Sequence, residues 1–126
     1  MNNSDIKILL VDDEPDILEI VGYNLKNEGY KVYTSTNGIE AVKSAKKIIP
    51  DLILLDIMMP EMDGIEACEK IRTIKNLENT LIAFLTARNE DYSKVAGFDA
   101  GADDYITKPI KPKVLVSKVK SLLRRL

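Results

Sequence analysis

The sequence contains no histidine and a single cysteine among its 126 residues. Without histidine, a metal site in this chain must use oxygen ligands or one thiolate, which favours Mg²⁺ or Ca²⁺ over zinc. No internal histidine can act as a general base, nucleophile or phosphate carrier. If the function of this protein involves a phosphohistidine, that histidine belongs to another molecule. The lone cysteine, Cys68, excludes an internal disulfide and suits a cytoplasmic protein.

Long apolar runs are also missing from the sequence. No stretch approaches the roughly 20 residues that a membrane-spanning helix needs. The N-terminus is polar and acidic, unlike a secretory signal peptide. We therefore expect a cytoplasmic protein without membrane contact. The apolar share of 45% and charged share of 30% are ordinary for a globular domain, and we expect one domain over residues 1–126.

Acidic residues are absent from residues 105–126, which hold seven of the 18 basic residues. A basic C-terminal helix could contact nucleic acid. However, these lysines and arginines alternate with apolar residues, and basic groups near a helix C-terminus complement the helix dipole. Seven positive residues at one end do not by themselves form an element that recognises bases in a DNA groove, so we expect no direct nucleic acid binding by this domain.

Five apolar segments alternate with five helical segments. The strands are predicted at residues 6–11, 31–35, 52–56, 80–86 and 103–107, and the helices at about 15–28, 38–49, 64–74, 91–100 and 113–126. The first, third and fourth strands are apolar throughout, which is typical of a parallel sheet covered on both faces. The alternation predicts a doubly wound α/β fold with right-handed crossovers. The first helix should bury Ile17, Ile20, Val21 and Leu25.

Three aspartates follow two of the predicted strands. Asp12 and Asp13 come directly after the first strand, and Asp56 ends the third. Taken singly, each could be a helix cap or a loop residue. In the doubly wound order 2-1-3-4-5, however, these strands are neighbours and their carboxyl ends open onto the ligand crevice. Three carboxylates would repel one another there unless a hard cation lay between them, which predicts an Mg²⁺ site.

A lysine and a threonine end two further strands. Lys108 follows the fifth strand, and its ammonium can reach a phosphoryl oxygen as a point charge. It precedes Pro109, so the bond between them is a candidate for the cis form. Thr86 ends the fourth strand, with its hydroxyl toward the same crevice. Together with the carboxylates, these residues predict a site for phosphoryl chemistry.

Four motifs resemble those of the receiver domain of bacterial two-component response regulators. They are VDDE at residues 11–14, LDIMMPEMDG at 55–64, LTAR at 85–88 and GADDYITKP at 101–109. The resemblance covers essentially the whole chain. It implies a flavodoxin-like (CheY-like) fold, with a five-stranded parallel sheet of order 2-1-3-4-5 and five helices. It also implies a phosphorylation-controlled switch rather than an enzyme, with intrinsic self-phosphorylation and self-dephosphorylation activity.

The resemblance assigns roles to the acidic residues. Asp56 is implied as the phosphoacceptor, which takes its phosphoryl group from the phosphohistidine of a sensor histidine kinase. Asp13 and Asp56 are implied as direct Mg²⁺ ligands, with the backbone carbonyl of Met58 as a third ligand. Asp12 is implied to act through a metal-bound water.

The same resemblance assigns roles to the residues around the phosphoryl group. Lys108 is implied to pair with it, Thr86 to hydrogen-bond to it, and Tyr105 to be the switch aromatic. The family associates acidic or amide side chains at two further positions with faster self-dephosphorylation. Met58 and Arg88 occupy those positions, which predicts a comparatively long-lived phosphoryl group.

The C-terminal half most resembles the OmpR/PhoB subfamily of transcription factors. This implies a homodimer, formed on phosphorylation through helix four, strand five and helix five. Lys94, Asp104 and Lys118 fall where the subfamily places salt-bridging charges, whereas Val114 and Tyr92 replace two acidic partners. The implied output is transcription, through a DNA-binding domain absent from this chain. A stand-alone receiver that binds a protein target or relays phosphate stays an alternative.

Two other classes of protein fit the residues less well. A small Mg²⁺-dependent phosphohydrolase with Asp56 as nucleophile needs a second carboxylate two residues later, where Met58 stands. A flavin-binding domain of the same topology needs a phosphate-binding loop after the first strand, where the run of acidic residues at 12–14 would repel phosphate.

Overall fold

The computed structural model describes residues 2–87 and 96–126. The strands are β1 (Lys7–Val11), β2 (Lys31–Ser35), β3 (Leu52–Asp56), β4 (Leu81–Thr86) and β5 (Asp104–Thr107). The helices are α1 (Pro15–Asn27), α2 (Gly38–Ile48), α3 (Gly64–Arg72), α4, of which residues 96–99 are described, and α5 (Pro112–Leu123). Short 3-10 helices cover Asn3–Asp5 and Lys75–Leu77.

The five strands form one parallel sheet in the order β2-β1-β3-β4-β5. Every residue of β3 and β4 is buried, whereas β2, at one edge, is largely exposed. This difference follows from position, since an internal strand is covered on both faces and must be apolar throughout. The predicted doubly wound fold and strand order are confirmed.

Apolar side chains pack on both faces of the sheet. On one face, strand residues such as Leu10 and Leu54 pack with Leu25 of α1 and Val119 of α5. On the other face, the alternate strand residues pack against α2 and α3, including Cys68. Because successive strand residues point to opposite faces, one apolar strand serves both layers. No helix in the described part of the chain is both long and apolar enough to cross a membrane.

Local capping residues define where the helices begin. Pro15 and Pro112 lie in the first turns of α1 and α5, where a missing amide hydrogen leaves no intrahelical bond unmade. Asn37 and Asp63 cap α2 and α3, since their side-chain oxygens accept hydrogen bonds from the amides three residues later, at 2.9 and 2.8 Å.

Four of the described helices end earlier than the sequence predicts. α1 ends at Asn27 rather than residue 28, and α5 ends at Leu123 rather than at the last residue. α2 ends at Ile48 because Ile49 adopts a left-handed conformation with φ of 51°, instead of continuing the helix to residue 49. α3 ends at Arg72 rather than residue 74, since the chain tightens there and enters the 3-10 helix Lys75–Leu77, which buries Leu77.

The predicted core face of α1 is partly wrong. Val21 and Leu25 are buried as expected, and Ile17 packs at the edge of the core. Ile20, however, is about half exposed, at 49%. The apolar stripe of this helix is therefore narrower than the periodicity indicates. The predicted start of the fourth helix, at residue 91, lies outside the described residues.

The loop between β3 and α3 is tightly constrained beneath the end of the central strand. The amide of Gly64 donates a hydrogen bond of 2.8 Å to the carbonyl of Ile57. A Cβ on Gly64 would overlap the backbone carbonyl oxygen of Asp56 and lie 2.9 Å from the Cα of Ile57. Glycine at this position therefore lets the loop fold back onto the residue that ends β3.

Replacing this glycine should destabilise the protein. We expect Gly64→Ala to lower the free energy of unfolding by roughly 1–3 kcal/mol, since the added methyl group meets backbone that cannot rotate away. Urea denaturation measures the change. The control is Gly22→Ala, in α1, where no atom lies within 4 Å of an added Cβ. It should be neutral or stabilising by up to about 1 kcal/mol, and equal stability of the two variants would contradict the close approach.

Candidate functional site

Three carboxylates converge at the carboxyl ends of β1 and β3. Because Val11 pairs with Leu55 in the sheet register, the residues that follow, Asp12 and Asp56, lie side by side. Oxygen atoms of these two residues and Asp13 all lie within 4.8 Å of one another. In residues 2–87 and 96–126 this is the one cluster of three acidic, histidine or cysteine side chains close enough to share a metal ion.

Two of the three carboxylates are almost inaccessible to solvent. Asp12 is 0% and Asp56 is 4% exposed, whereas Asp13 is exposed. Asp12 Oδ1 accepts a hydrogen bond of 2.9 Å from the amide of Glu14. Asp12 Oδ2 accepts no well-aligned hydrogen bond from the described residues, although Lys108 Nζ lies 3.2 Å away. A buried carboxylate oxygen without a hydrogen-bond donor is costly, so this atom is suited to a cation or its bound water.

Lys108 extends into this acidic cluster from the end of β5. Its ammonium lies 3.3 Å from Asp56 Oδ1, 3.2 Å from Asp12 Oδ2 and 3.5 Å from Glu14 Oε1. The backbone helps to place it, since the amide of Lys108 donates a 2.7 Å hydrogen bond to the carbonyl of Thr86. The peptide bond between Lys108 and Pro109 is cis, as the sequence suggested.

The close approach of several charged groups shifts the pKa values of Asp56 and Lys108. Burial raises the pKa of Asp56 to about 7, and the negative charges of Asp12 and Asp13 act in the same direction against the opposing effect of Lys108. Burial by itself would lower the pKa of Lys108, but Asp56, Asp12 and Glu14 together raise it. One lysine therefore does not neutralise the cluster.

Two further predicted residues, Met58 and Thr86, line one small cavity of about 170 Å³ beside Asp56, whereas Tyr105 does not. Its lining includes the phosphoacceptor candidate together with Met58, Thr86 and Lys108. Thr86 is buried at the end of β4, next to Leu85, which pairs with Asp56. Met58 is exposed at the mouth. The structure thus brings together predicted residues from three strand ends.

This arrangement fits a hard divalent cation. The cluster offers oxygen ligands alone, carries excess negative charge and includes a buried oxygen without a well-aligned donor. Mg²⁺ prefers carboxylate oxygens and keeps several waters, which the exposed side of the cluster, at Asp13, permits. The donor set does not suit zinc, since it contains neither nitrogen nor sulfur.

Two of the predicted dimer-face residues, Asp104 and Lys118, lie away from this cluster. Lys118 Nζ lies 3.5 Å from Asp104 Oδ1 and donates a 2.7 Å hydrogen bond to the carbonyl of Tyr105. Asp104 and Lys118 are thus paired within the chain, and a role between subunits stays a prediction. Lys94 lies outside the described residues, as do Tyr92 and Arg88.

Sequence reasoning missed three residues that the structure connects to the site. Glu14 contacts Lys108, which its place directly after the two aspartates could have indicated. Gly97 and Phe98 pack against Tyr105 across the sheet edge. Nothing in the local pattern pointed to that contact, because it depends on how α4 lies over β5.

Comparisons with known proteins agree on one family. The model of the response regulator receiver domain matches residues 8–120. Over 119 residues, the chain is 48% identical to the alkaline phosphatase synthesis transcriptional regulatory protein PhoP of Bacillus subtilis. That match covers 94% of this chain and 49% of PhoP, so the chain spans about half the length of this relative.

Solved structures give the same result. A putative response regulator from Chloroflexus aurantiacus superposes with a TM-score of 0.89 at 35% identity, over 94% of this chain and 98% of that one. The receiver domain of the sensor histidine kinase PA1611 from Pseudomonas aeruginosa, solved with a magnesium ion in its active site cleft, has a TM-score of 0.86 at 33% identity. That match covers 94% of this chain and 97% of the other.

Removing the charge of Asp56 should stabilise the metal-free protein at alkaline pH. Because its pKa in the folded chain is raised to about 7, its contribution to stability is present below the unfolded pKa of about 4 and is lost as the pH rises through about 7. Asp56→Asn should therefore differ least from the wild type near pH 4. Its advantage should grow to on the order of 1–3 kcal/mol by about pH 8.

Urea denaturation in a chelator, repeated across this pH range, measures the difference. Glu19→Gln, an exposed change on α1, is the control and should show no pH-dependent gap. Added Mg²⁺ should favour the wild type over Asp56→Asn at the alkaline end. A gap between Asp56→Asn and wild type that does not vary with pH would contradict the raised pKa.

Proposed function

The chain belongs to the response regulator receiver domain family, and on that premise we propose that Asp56 is the residue that accepts the phosphoryl group. Receiver domains of this family are phosphorylation-controlled switches in two-component systems. The observation that carries the proposal is the convergence of three carboxylates and Lys108 beside one small cavity. We assign residues 1–126 to a single receiver domain.

The proposed reaction transfers a phosphoryl group from a histidine of a sensor kinase. An Asp56 carboxylate oxygen attacks the phosphorus while the phosphorus–nitrogen bond breaks, and its electron pair returns to the histidine nitrogen. Catalysis of such a transfer consists mainly of placement and of charge stabilisation. Lys108, 3.3 Å from Asp56 Oδ1, supplies a positive charge beside the incoming oxygens.

The proposed cofactor is Mg²⁺. Asp13, Asp56 and the backbone carbonyl of Met58 would hold it, and Asp12 would act through a bound water. When bound, it supplies positive charge for the phosphoryl oxygens and offsets the repulsion within the cluster. Self-phosphorylation from small donors and self-dephosphorylation by water are proposed activities of the same site.

The proposed switch links this site to the edge of the sheet. A phosphoryl group on Asp56 adds negative charge and hydrogen-bond acceptors next to Thr86. The Thr86 hydroxyl would bond to it, and Tyr105 would occupy the space behind the threonine. Phosphorylation can shift such an equilibrium only through interactions that differ between the two states, and these two residues would provide them.

The proposed output is control of transcription. The relative from Bacillus subtilis is a transcriptional regulatory protein about twice as long as this chain. We infer a DNA-binding domain outside this chain, a homodimer through α4, β5 and α5 that includes Lys94, Asp104 and Lys118, and action in the cytoplasm. This domain itself would not contact DNA. A stand-alone receiver or a phosphorelay intermediate is the second candidate, since the residues of the site are common to both.

Phosphorylation of the isolated chain tests the assignment directly. Incubated with acetyl phosphate and Mg²⁺, the wild type should gain one phosphoryl group in an intact-mass measurement, and Asp56→Asn should gain none. Thr86→Ala should still be modified but should lose the change in sedimentation that follows modification. If the wild type stays unmodified while Mg²⁺ is present, the function is wrong.

The lifetime of the acyl phosphate tests the role of Met58. The thioether can neither position nor deprotonate a water molecule, so we expect a half-life well beyond a few seconds. Met58→Asn should shorten it, because an amide can hold the attacking water. Mass measurements at intervals after removal of the donor give both rates. The control is Met62→Asn, on the α3 side of the same loop, and a wild-type half-life of a few seconds would refute the prediction.

A further inference from the structure

The Tyr105 ring lies between two other aromatic rings. Its centroid is 5.7 Å from that of Phe84 on β4 and 4.8 Å from that of Phe98 on α4, the latter in an edge-to-face arrangement at 72°. The tyrosine is only 6% exposed, although β5 lies at the sheet edge. Phe98 itself is 52% exposed, so its ring covers the tyrosine from the solvent side.

Gly97 completes the surroundings of the phenol. A Cβ added to Gly97 would overlap the Tyr105 hydroxyl oxygen and lie 2.8 Å from Cε2 of Phe84. The backbone at Phe98 and Gly97 also hydrogen-bonds with this phenol. The hydroxyl therefore fits against bare backbone of α4, which glycine alone permits. We call the surroundings formed by Phe84, Gly97 and Phe98 the tyrosine pocket.

The end of α4 that carries this pocket is fastened to the rest of the protein. Arg72 Nε of α3 donates a 3.0 Å hydrogen bond to the carbonyl of Gly101. The thiol of Cys68 donates a hydrogen bond of 3.5 Å to the carbonyl of Ala100. Gly97 is itself held, since its carbonyl accepts a 3.0 Å hydrogen bond from the amide of Ala102. The pocket therefore has a defined position relative to the sheet.

We propose that Gly97 and Phe98 are positioning residues of the switch, which hold the Tyr105 ring inside the tyrosine pocket. The inference rests on the proposed function, since it takes Tyr105 as the switch aromatic. It goes beyond the proposed function because the position of the Tyr105 ring then depends on residues of α4 as well as on Thr86. The unmodified chain already buries the ring, so phosphorylation acts on an equilibrium that these two residues set.

Opposite changes to the pocket should have the same effect on the tyrosine. Gly97→Ala fills the space of the phenol and should push the ring out, even though alanine favours a helix over glycine. Phe98→Ala removes the covering ring and should lower the ratio of buried to exposed tyrosine by roughly two- to tenfold, as expected for the loss of one aromatic contact. Phe98→Tyr keeps a ring and should behave as the wild type.

Fluorine NMR of the full chain labelled with 3-fluorotyrosine measures the position of the ring. The chain has five tyrosines, and the resonance that disappears in Tyr105→Phe identifies the one of interest. In Gly97→Ala and Phe98→Ala this resonance should move toward the value of an exposed tyrosine. The matched control, Gly22→Ala, is a helical glycine with open space around it, and should leave it unchanged.

A second reading separates positioning from a merely structural role. After treatment with acetyl phosphate and Mg²⁺, the Tyr105 resonance of both variants should move farther than that of the wild type, because it starts from a less buried state. A structural defect would lower the melting temperature without enlarging that response. If Gly97→Ala does not fold, Phe98→Ala and Phe98→Leu, at a half-exposed position, decide the question.

The two proposals fail in different ways. If acetyl phosphate leaves the wild type unmodified in an intact-mass measurement, the proposed function is overturned. The fluorine spectra of the unmodified proteins still test the tyrosine pocket in that case. An unchanged Tyr105 resonance in both Gly97→Ala and Phe98→Ala overturns the pocket, whatever happens at Asp56.

Discussion

The imbalance of charge at the ends of β1 and β3 is the constraint on which the rest of the structure depends. Carboxylate oxygens of Asp12, Asp13 and Asp56 lie within 4.8 Å of one another. The opposing positive charge comes from Lys108, whose ammonium lies 3.3 Å from Asp56 Oδ1. The fold creates this imbalance, because neighbouring parallel strands end at the same edge of the sheet. The raised pKa of Asp56 shows that holding a negative charge at this position is unfavourable. A divalent cation bound there would reduce the repulsion among the carboxylates, which would tie the stability of the site to the chemistry proposed for it.

Strand β5 connects this constraint to the surface that would carry the signal. Lys108 follows the strand and contacts Asp56, while Tyr105 lies within it and faces α4 on the side of α3. The carbonyl of Thr86 accepts a hydrogen bond from the amide of Lys108, so the ends of β4 and β5 are joined beside Asp56, the proposed phosphoacceptor. A change of charge at Asp56 would therefore act on β4, which carries Phe84 of the tyrosine pocket, and on β5, which carries Tyr105 itself. Short, rigid strands suit this coupling, since packed interfaces change between discrete arrangements.

How much could be predicted from sequence depended on how local each cause was. The strands and the three aspartates could be placed, since apolar runs and the ends of parallel strands follow from elementary patterns. Ile20 was misassigned because a helix with a narrow contact leaves one apolar flank exposed. The early end of α2 depends on the left-handed Ile49, a residue that the pattern does not single out. Phe98 was missed because its partner, Tyr105, is set by the placement of α4 over the sheet.

The residue two positions after Asp56 favours a switch over a hydrolase. A phosphohydrolase must return its nucleophile to the free state in every cycle, which requires a group that takes a proton from the attacking water. Met58 lines the cavity there with a thioether, which is too weak a base for that step. Lys108 lines the same cavity as an ammonium with a raised pKa, which can stabilise phosphoryl oxygens but accepts no proton. The proposed chemistry of the site is thus asymmetric, with good provision for gaining a phosphoryl group and poor provision for losing it, and such an asymmetry would keep a signal in place long enough to act.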